Sequence, residues 1–428
     1  MLALLVHLAE GAPPPVVRAA RLVGGLVVAW DGDRGLTAFA PDSGEPRWQV
    51  SLPVAPYGWQ PVGAWHGEVV SDSAPTAHVS AAGALRATLD HEGLGRCAVH
   101  EAGGGAVLAC YEGATVLHPA ELRHIGPVLP RPSTCRPGGE APEPFCGRFG
   151  PDTRAVARVA GVTVVFGEDN SGPHPQHDSP LTLVGIADEG AVRWRRPVAE
   201  AREAGAHGEL CWVFGADRVE ALGCADGAPR WSAKAPGATA VHALDVALLV
   251  VAPDAVNAHA WSDGRLWWRA PLGPGERAAV GLGTPTVDPV TGEPSQPFVG
   301  AGPATVRVLD AATGRPRGSI PLAEGQSLFG LPGGYARLSD HGDLTLYTEA
   351  GAPLTTLRLG GTSRYFTLAA DADRLVVTLF DHTFVVDRQR GRIVEKLRGQ
   401  FHTVALAGKV LVLHRRPLGD AGELRFFR

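Results

Sequence analysis

The chain has 428 residues, of which 45% are hydrophobic and 19% charged, and its 44 acidic and 39 basic side chains leave a formal net charge of −5. An acidic balance with no basic run excludes the electrostatic footprint of a nucleic-acid binder. No apolar stretch approaches the roughly 20 residues that a membrane-spanning helix needs, so neither nucleic acid nor membrane insertion is expected.

The opening MLALLVHLAEGAPPP lacks a basic n-region, and Glu10 interrupts a very short apolar core. It reads poorly as a signal peptide, which makes the cytoplasm the default compartment. Leu2 to Leu8 reads instead as a short strand.

Four later stretches end in nearly the same phrase: DSGEPRW at Asp42 to Trp48, DEGAVRW at Asp188 to Trp194, ADGAPRW at Ala225 to Trp231 and SDGRLWW at Ser262 to Trp268. Each places a glycine four residues before a tryptophan, downstream of runs rich in β-branched residues. The unit reads strand, strand, glycine turn, strand, a repeated antiparallel hairpin module. Gly83, Gly314, Gly351, Gly391 and Gly422 extend the series, and Ala120 holds the same place in HPAELRH.

The ten anchors are separated by 39, 37, 70, 37, 37, 50, 37, 40 and 31 residues. A period near 37 predicts an all-β fold of four-stranded modules, a single closed β-propeller with ten modules counted. Residues 1–428 then form one domain. Second strands are expected around Glu68 to Val70, Ala106 to Cys110, Thr163 to Phe166, Ala247 to Val251, Leu375 to Leu379 and Lys409 to Leu413. The last module supplies only three strands, so the strand at Leu2 to Leu8 is expected to complete it, which avoids a frayed edge.

The glycine suits a tight turn between third and fourth strands, because it takes positive φ without a Cβ clash. The tryptophans are expected to pack between neighbouring blades. Arg47, Arg86, Arg123, Arg193, Arg230, Arg317 and Arg425 occupy the tryptophan-preceding position or its equivalent. They are expected to stack on a neighbouring blade's ring or to be solvated.

The modules resemble pyrroloquinoline-quinone-type propeller repeats, whose docking motif runs alanine, aspartate, threonine-glycine and tryptophan. Ala38, Ala221 and Ala258 match the alanine, Asp310 and Asp387 the aspartate, and Thr313-Gly314 the pair. No single module carries every element, and ten modules exceed the seven or eight usual in the family. The resemblance covers almost the whole chain and implies a propeller. It leaves function open, since the family includes quinone-dependent dehydrogenases and binding scaffolds such as the outer-membrane assembly lipoproteins, and WD-type scaffolds are built on similar repeats.

Three insertions interrupt the period: 126–151, 169–180 and 284–297, all rich in proline, glycine and polar residues. The first is assigned to a connection between blades, the other two to connections between second and third strands. Both kinds of connection emerge on one face, where binding loops gather. The second insertion brings His174, His177 and Asp178 together, ligand types suited to zinc, although their spacing is not diagnostic. Asp31 and Asp33 in WDGDRG lack the remaining ligands of a calcium loop and read as a turn.

Six cysteines fall into local pairs, Cys97/Cys110, Cys135/Cys146 and Cys211/Cys224. Free thiols are the default expectation, and three disulfides in a periplasmic or otherwise exported protein the alternative. No adjacent-cysteine pair, GxSxG elbow, HExxH helix or phosphate loop occurs. The sequence therefore reads as a non-catalytic scaffold subunit of a bacterial assembly, without catalytic residues or cofactor, that binds a protein partner such as an AAA-type ATPase or a von Willebrand factor A domain protein. The alternative is a quinone- or metal-dependent oxidoreductase, or a hydrolase, with its site at the central channel.

Overall fold

The computed structural model describes residues 3–4, 17–31, 35–52, 62–65, 67–71, 76–89, 97–102, 105–110, 113–117, 124–125, 154–168, 181–198, 201–273, 298–301, 305–323, 326–360, 367–379, 381–407, 410–415 and 423–427. These form ten antiparallel sheets and no helix, nine sheets with four strands and one with three. In chain order they span 19–51, 62–89, 97–125, 154–197, 203–234, 240–271, 298–321, 327–358, 367–398 and 401–427, and are called sheets 1 to 10.

Strand composition follows from position in the sheet. Leu248–Val251, the second strand of sheet 6, is buried at every residue, because neighbouring sheets cover both of its faces. The outermost strands Pro229–Lys234 and Leu266–Pro271 bury only alternate residues near their ends, since a rim strand has solvent beside it. The first strands of consecutive sheets touch one another, as in Ala19–Val23 with Val62–Trp65 and Glu203–His207 with Ala240–Ala243.

The apolar core is therefore divided among the gaps between sheets. Val28, Leu36 and Ala38 of sheet 1 share a cluster with Val69, Ala77 and Val79 of sheet 2. Sheets 4 and 5, 5 and 6, 8 and 9, and 9 and 10 share clusters in the same way. One further cluster joins the two ends of the chain, since Val17, Val27, Ala29 and Phe39 of the first sheet region pack on Val404, Ala405, Val412 and Phe426 of sheet 10. Ala3–Leu4 adds the fourth strand of sheet 10, with Ala3 opposite Phe427 and Leu4 opposite Phe426. The chain's own beginning thus completes its last sheet, as expected from the sequence.

All six expected second strands occupy that place. The glycine turn also holds: Gly44, Gly83, Gly190, Gly227, Gly264, Gly351 and Gly391 have positive φ between third and fourth strands, and Gly314 has it between the last two strands of sheet 7. Ala120 lies outside the described residues.

Gly422 is a correction. It lies outside the described residues, but the strands on either side of it, Val410–Arg415 and Glu423–Phe427, are the second and third of sheet 10, because the place after the third strand is taken by the chain's beginning. Its step of 31 residues belongs to a different connection.

The third insertion is also corrected. Phe298–Ala301 pairs directly with Thr305–Leu309, the strand before the Gly314 turn, so 284–297 precedes both strands instead of standing between them. The connection assigned to it from sequence does not hold. The other two assignments do: 126–151 lies between the last strand of sheet 3 and the first of sheet 4, and 169–180 between the second and third strands of sheet 4.

Candidate functional site

The tryptophans act between sheets, each docking on the glycine turn of the next. The indole nitrogen of Trp48 donates to the carbonyl of Ala81 (2.9 Å), Trp194 to Cys224 (3.1 Å), Trp231 to Trp261 (2.9 Å) and Trp268 to Ala311 (3.0 Å). The ring lies flat over the turn glycine: a Cβ placed on Gly227 would come within 2.5 Å of Trp194. Glycine is needed there for its left-handed φ of 64° and for its bare face.

Within its own sheet the tryptophan stands opposite a small residue. Ala38 faces Trp48, Gly185 faces Trp194, Ala221 faces Trp231 and Ala258 faces Trp268. In sheet 2 both partners change, with His78 opposite Ala87. His78 is buried, its Nε2 is 2.6 Å from Glu68 Oε2, and Arg86 holds the other carboxylate oxygen at 2.9 Å. Burial draws its pKa below the ordinary histidine value, against the opposing pull of Glu68.

Of the two expectations for the arginines, the solvated one holds at Arg47, Arg86, Arg193, Arg230 and Arg317, which are exposed, and several of them add an ion pair at the surface. Arg230 pairs with Asp226 (2.7 Å) and Arg317 with Asp310 (2.7 Å), both carboxylates of their own turn, and Arg193 likewise holds Glu189. Arg425 lies over the ring of Phe401, 5.3 Å from its centroid, inside its own sheet.

The candidate site is one end of sheet 4. Register aligns Arg154, Phe166, Leu183 and Arg196 in a row across its four strands. The connection containing 126–151 enters the row at Arg154, and the base of 169–180 is closed just beyond it by Glu168 opposite Leu181. Two connections far apart in sequence thus attach at the same sheet end.

Its border with sheet 5 is fixed by charge. Arg196 donates to Glu220 (2.6 Å), whose other oxygen is 3.2 Å from Arg218. Such a rigid base can present loops for recognition with little ordering cost of its own.

His174, His177 and Asp178 lie outside the described residues. Among the described residues no group of three histidine, cysteine, aspartate or glutamate side chains could hold a metal ion. Asp31 follows the second strand of sheet 1 and accepts from Gly35 N (3.0 Å), so the turn reading of that segment stands at Asp31; Asp33 lies outside the described residues.

The default expectation of free thiols fails at Cys211 and Cys224, which form a wholly buried disulfide with Cα atoms 5.0 Å apart. Cys97 and Cys110 are Cα partners across two strands of sheet 3. Cys135 and Cys146 lie outside the described residues.

No protein-family model matches the chain, and no curated protein matches it. Solved structures do. The chain is similar to BamB from Moraxella catarrhalis (14% identity, TM-score 0.44, covering 77% of this chain and 96% of that one). It is also similar to the dihydro-heme d1 dehydrogenase NirN (14%, 0.45, 93% and 78%) and to AztD from Citrobacter koseri (10%, 0.41, 88% and 93%). At these values the likeness is one of architecture, and no function passes across it.

Proposed function

We propose that this chain is a non-catalytic scaffold, a single closed ring of ten blades that binds a protein partner through the insert-bearing end of sheet 4. The observation that carries the reading is the register row Arg154, Phe166, Leu183 and Arg196, which brings the connections containing 126–151 and 169–180 to one place. Long loops gathered on a rigid base are where recognition concentrates. The ring reading rests on the core shared by the first and last sheets.

An oxidising compartment is part of the proposal. A buried disulfide such as Cys211–Cys224 persists where thiols are not kept reduced, so the exported alternative replaces the cytoplasm. An AAA-type ATPase or a von Willebrand factor A domain protein is one case of partner among many, and no residue singles it out.

The test is affinity capture with the intact chain and with two variants, in which 126–151 or 169–180 is replaced by a short turn. The expected result is a stoichiometric partner retained by the intact chain and lost on shortening either insertion, with unchanged thermal unfolding. Recovery of the intact chain alone, carrying a quinone absorbance or a stoichiometric metal, would overturn the scaffold in favour of an oxidoreductase.

A further inference from the structure

Four indoles dock alike, and comparing the residues that accept them isolates one. Ala81 and Ala311 have side chains too short to reach beyond their turns. Trp261 is anchored by its own side chain, whose indole donates to the carbonyl of Leu244 (2.8 Å) in the hairpin after the first strand of sheet 6. Cys224 is anchored covalently, to Cys211 on the second strand of sheet 5.

The indole that docks on Cys224 is that of Trp194, and Trp194 belongs to the outermost strand of sheet 4. The disulfide therefore stands directly behind the docking contact of sheet 4, to which both inserted connections attach. All six cysteines of the chain fall between 97 and 224, within sheets 3 to 5 and their connections. Cross-linking residues are concentrated around sheet 4 and absent from the rest of the sequence.

We propose that the Cys211–Cys224 disulfide is a redox-dependent lock that holds sheet 4 on sheet 5 by fixing the turn that accepts Trp194. The step is a two-electron exchange with a dithiol. One sulfur of the dithiol attacks a sulfur of the Cys211–Cys224 bond, which breaks as a mixed disulfide forms and one cysteine leaves; the dithiol's second sulfur then attacks its own end of the mixed disulfide and releases the other cysteine, so the dithiol departs oxidised to a disulfide and its two protons end on the thiols of Cys211 and Cys224. Both sulfurs are wholly buried, so the exchange waits on opening of the turn. Its meaning for a partner rests on the scaffold reading above, but its structural content does not require a partner.

The test is hydrogen exchange on the full chain, comparing the native protein with the Cys211→Ala/Cys224→Ala double variant and with protein held in dithiothreitol. Exchange in 181–198 and 218–234 is expected to rise roughly tenfold or more while 327–358 and 367–398 stay unchanged. A rise spread evenly over all sheets, or no rise in 181–198, would overturn the lock. Trp194→Phe, which lacks the indole N–H, supplies a control that does not depend on the double variant folding. In that background dithiothreitol is expected to add little to exchange in 181–198, and an undiminished increment would show that the disulfide does not act through Trp194. Loss of a captured partner without any change in exchange would count against the lock alone, whereas a working lock in a chain that captures nothing would count against the scaffold alone.

Discussion

Trp267 and Trp268 are neighbours in sequence with opposite environments. Trp268 is 8% exposed and docked on the Gly314 turn, whereas Trp267 is 50% exposed in the place where other sheets carry a turn-paired arginine. Truncating the docked ring removes a large buried surface and leaves a cavity, so Trp268→Ala is expected to cost about 3–5 kcal/mol. Trp267→Ala should fall within about 0.5 kcal/mol, as surface changes usually do. Chemical denaturation of the two variants checks the contrast, and equal losses would refute the docking account. The repeat made this distinction legible, because a glycine four residues upstream identifies the buried member of the pair. The small residue opposite each docked ring was only partly legible: alanine was recognised at Ala38, Ala221 and Ala258, but Gly185 and His78 become its equivalents only once strand register is known.

Turns carry the titration behaviour of the hairpins. Asp310 accepts from the Thr313 hydroxyl (2.8 Å) and backbone N–H (2.9 Å) and from Arg317 (2.9 Å), with the hydroxyl foremost in holding its carboxyl below the usual range. Asp226 and Asp387 are lowered chiefly by the backbone N–H groups of Ala228 and Arg390. A carboxyl with a depressed folded pKa stabilises the fold above its unfolded value, near 4, and that contribution disappears as pH falls through the folded value. Thermal stability is therefore expected to drop below about pH 4, and Asp310→Asn should lower stability at pH 7 while flattening the acid slope. An unaltered slope in that variant would remove Asp310 from the account. His78 and His242 act at higher pH. Burial lowers both, so each favours the folded chain while neutral, and stability should begin to fall as pH drops below about 6.5. The turns were legible because glycine and its polar neighbours are local signals. The third insertion was misplaced because no glycine turn marks its place in the repeat, and only the pairing of Phe298–Ala301 with Thr305–Leu309 shows that it does not stand between these two strands.

The proposed closure of the array has two candidate agents, and their sizes differ. Ala3–Leu4 contributes two register pairs to the edge of sheet 10. Phe426, 3% exposed, stands 5.9 Å from the ring of Phe39 inside the core shared by the first and last sheets, and the imidazole Nε2 of His414 meets the carbonyl of Val17 at 3.3 Å. A few rim hydrogen bonds contribute about 1 kcal/mol each, while loss of a buried phenylalanine costs about 3–5 kcal/mol. Deleting residues 1–8 is therefore expected to leave the radius of gyration in solution scattering unchanged, with a small loss of thermal stability. Phe426→Ala should lower stability far more and, if closure is the weakest junction, expand the molecule before the other sheets unfold. Expansion on deleting 1–8 alone would make the edge strand the fastener and reduce the shared core to a consequence of it. The sequence pointed to the strand because a missing fourth strand can be counted, whereas the contact between Phe39 and Phe426 joins residues at opposite ends of the chain and leaves no periodic trace in either.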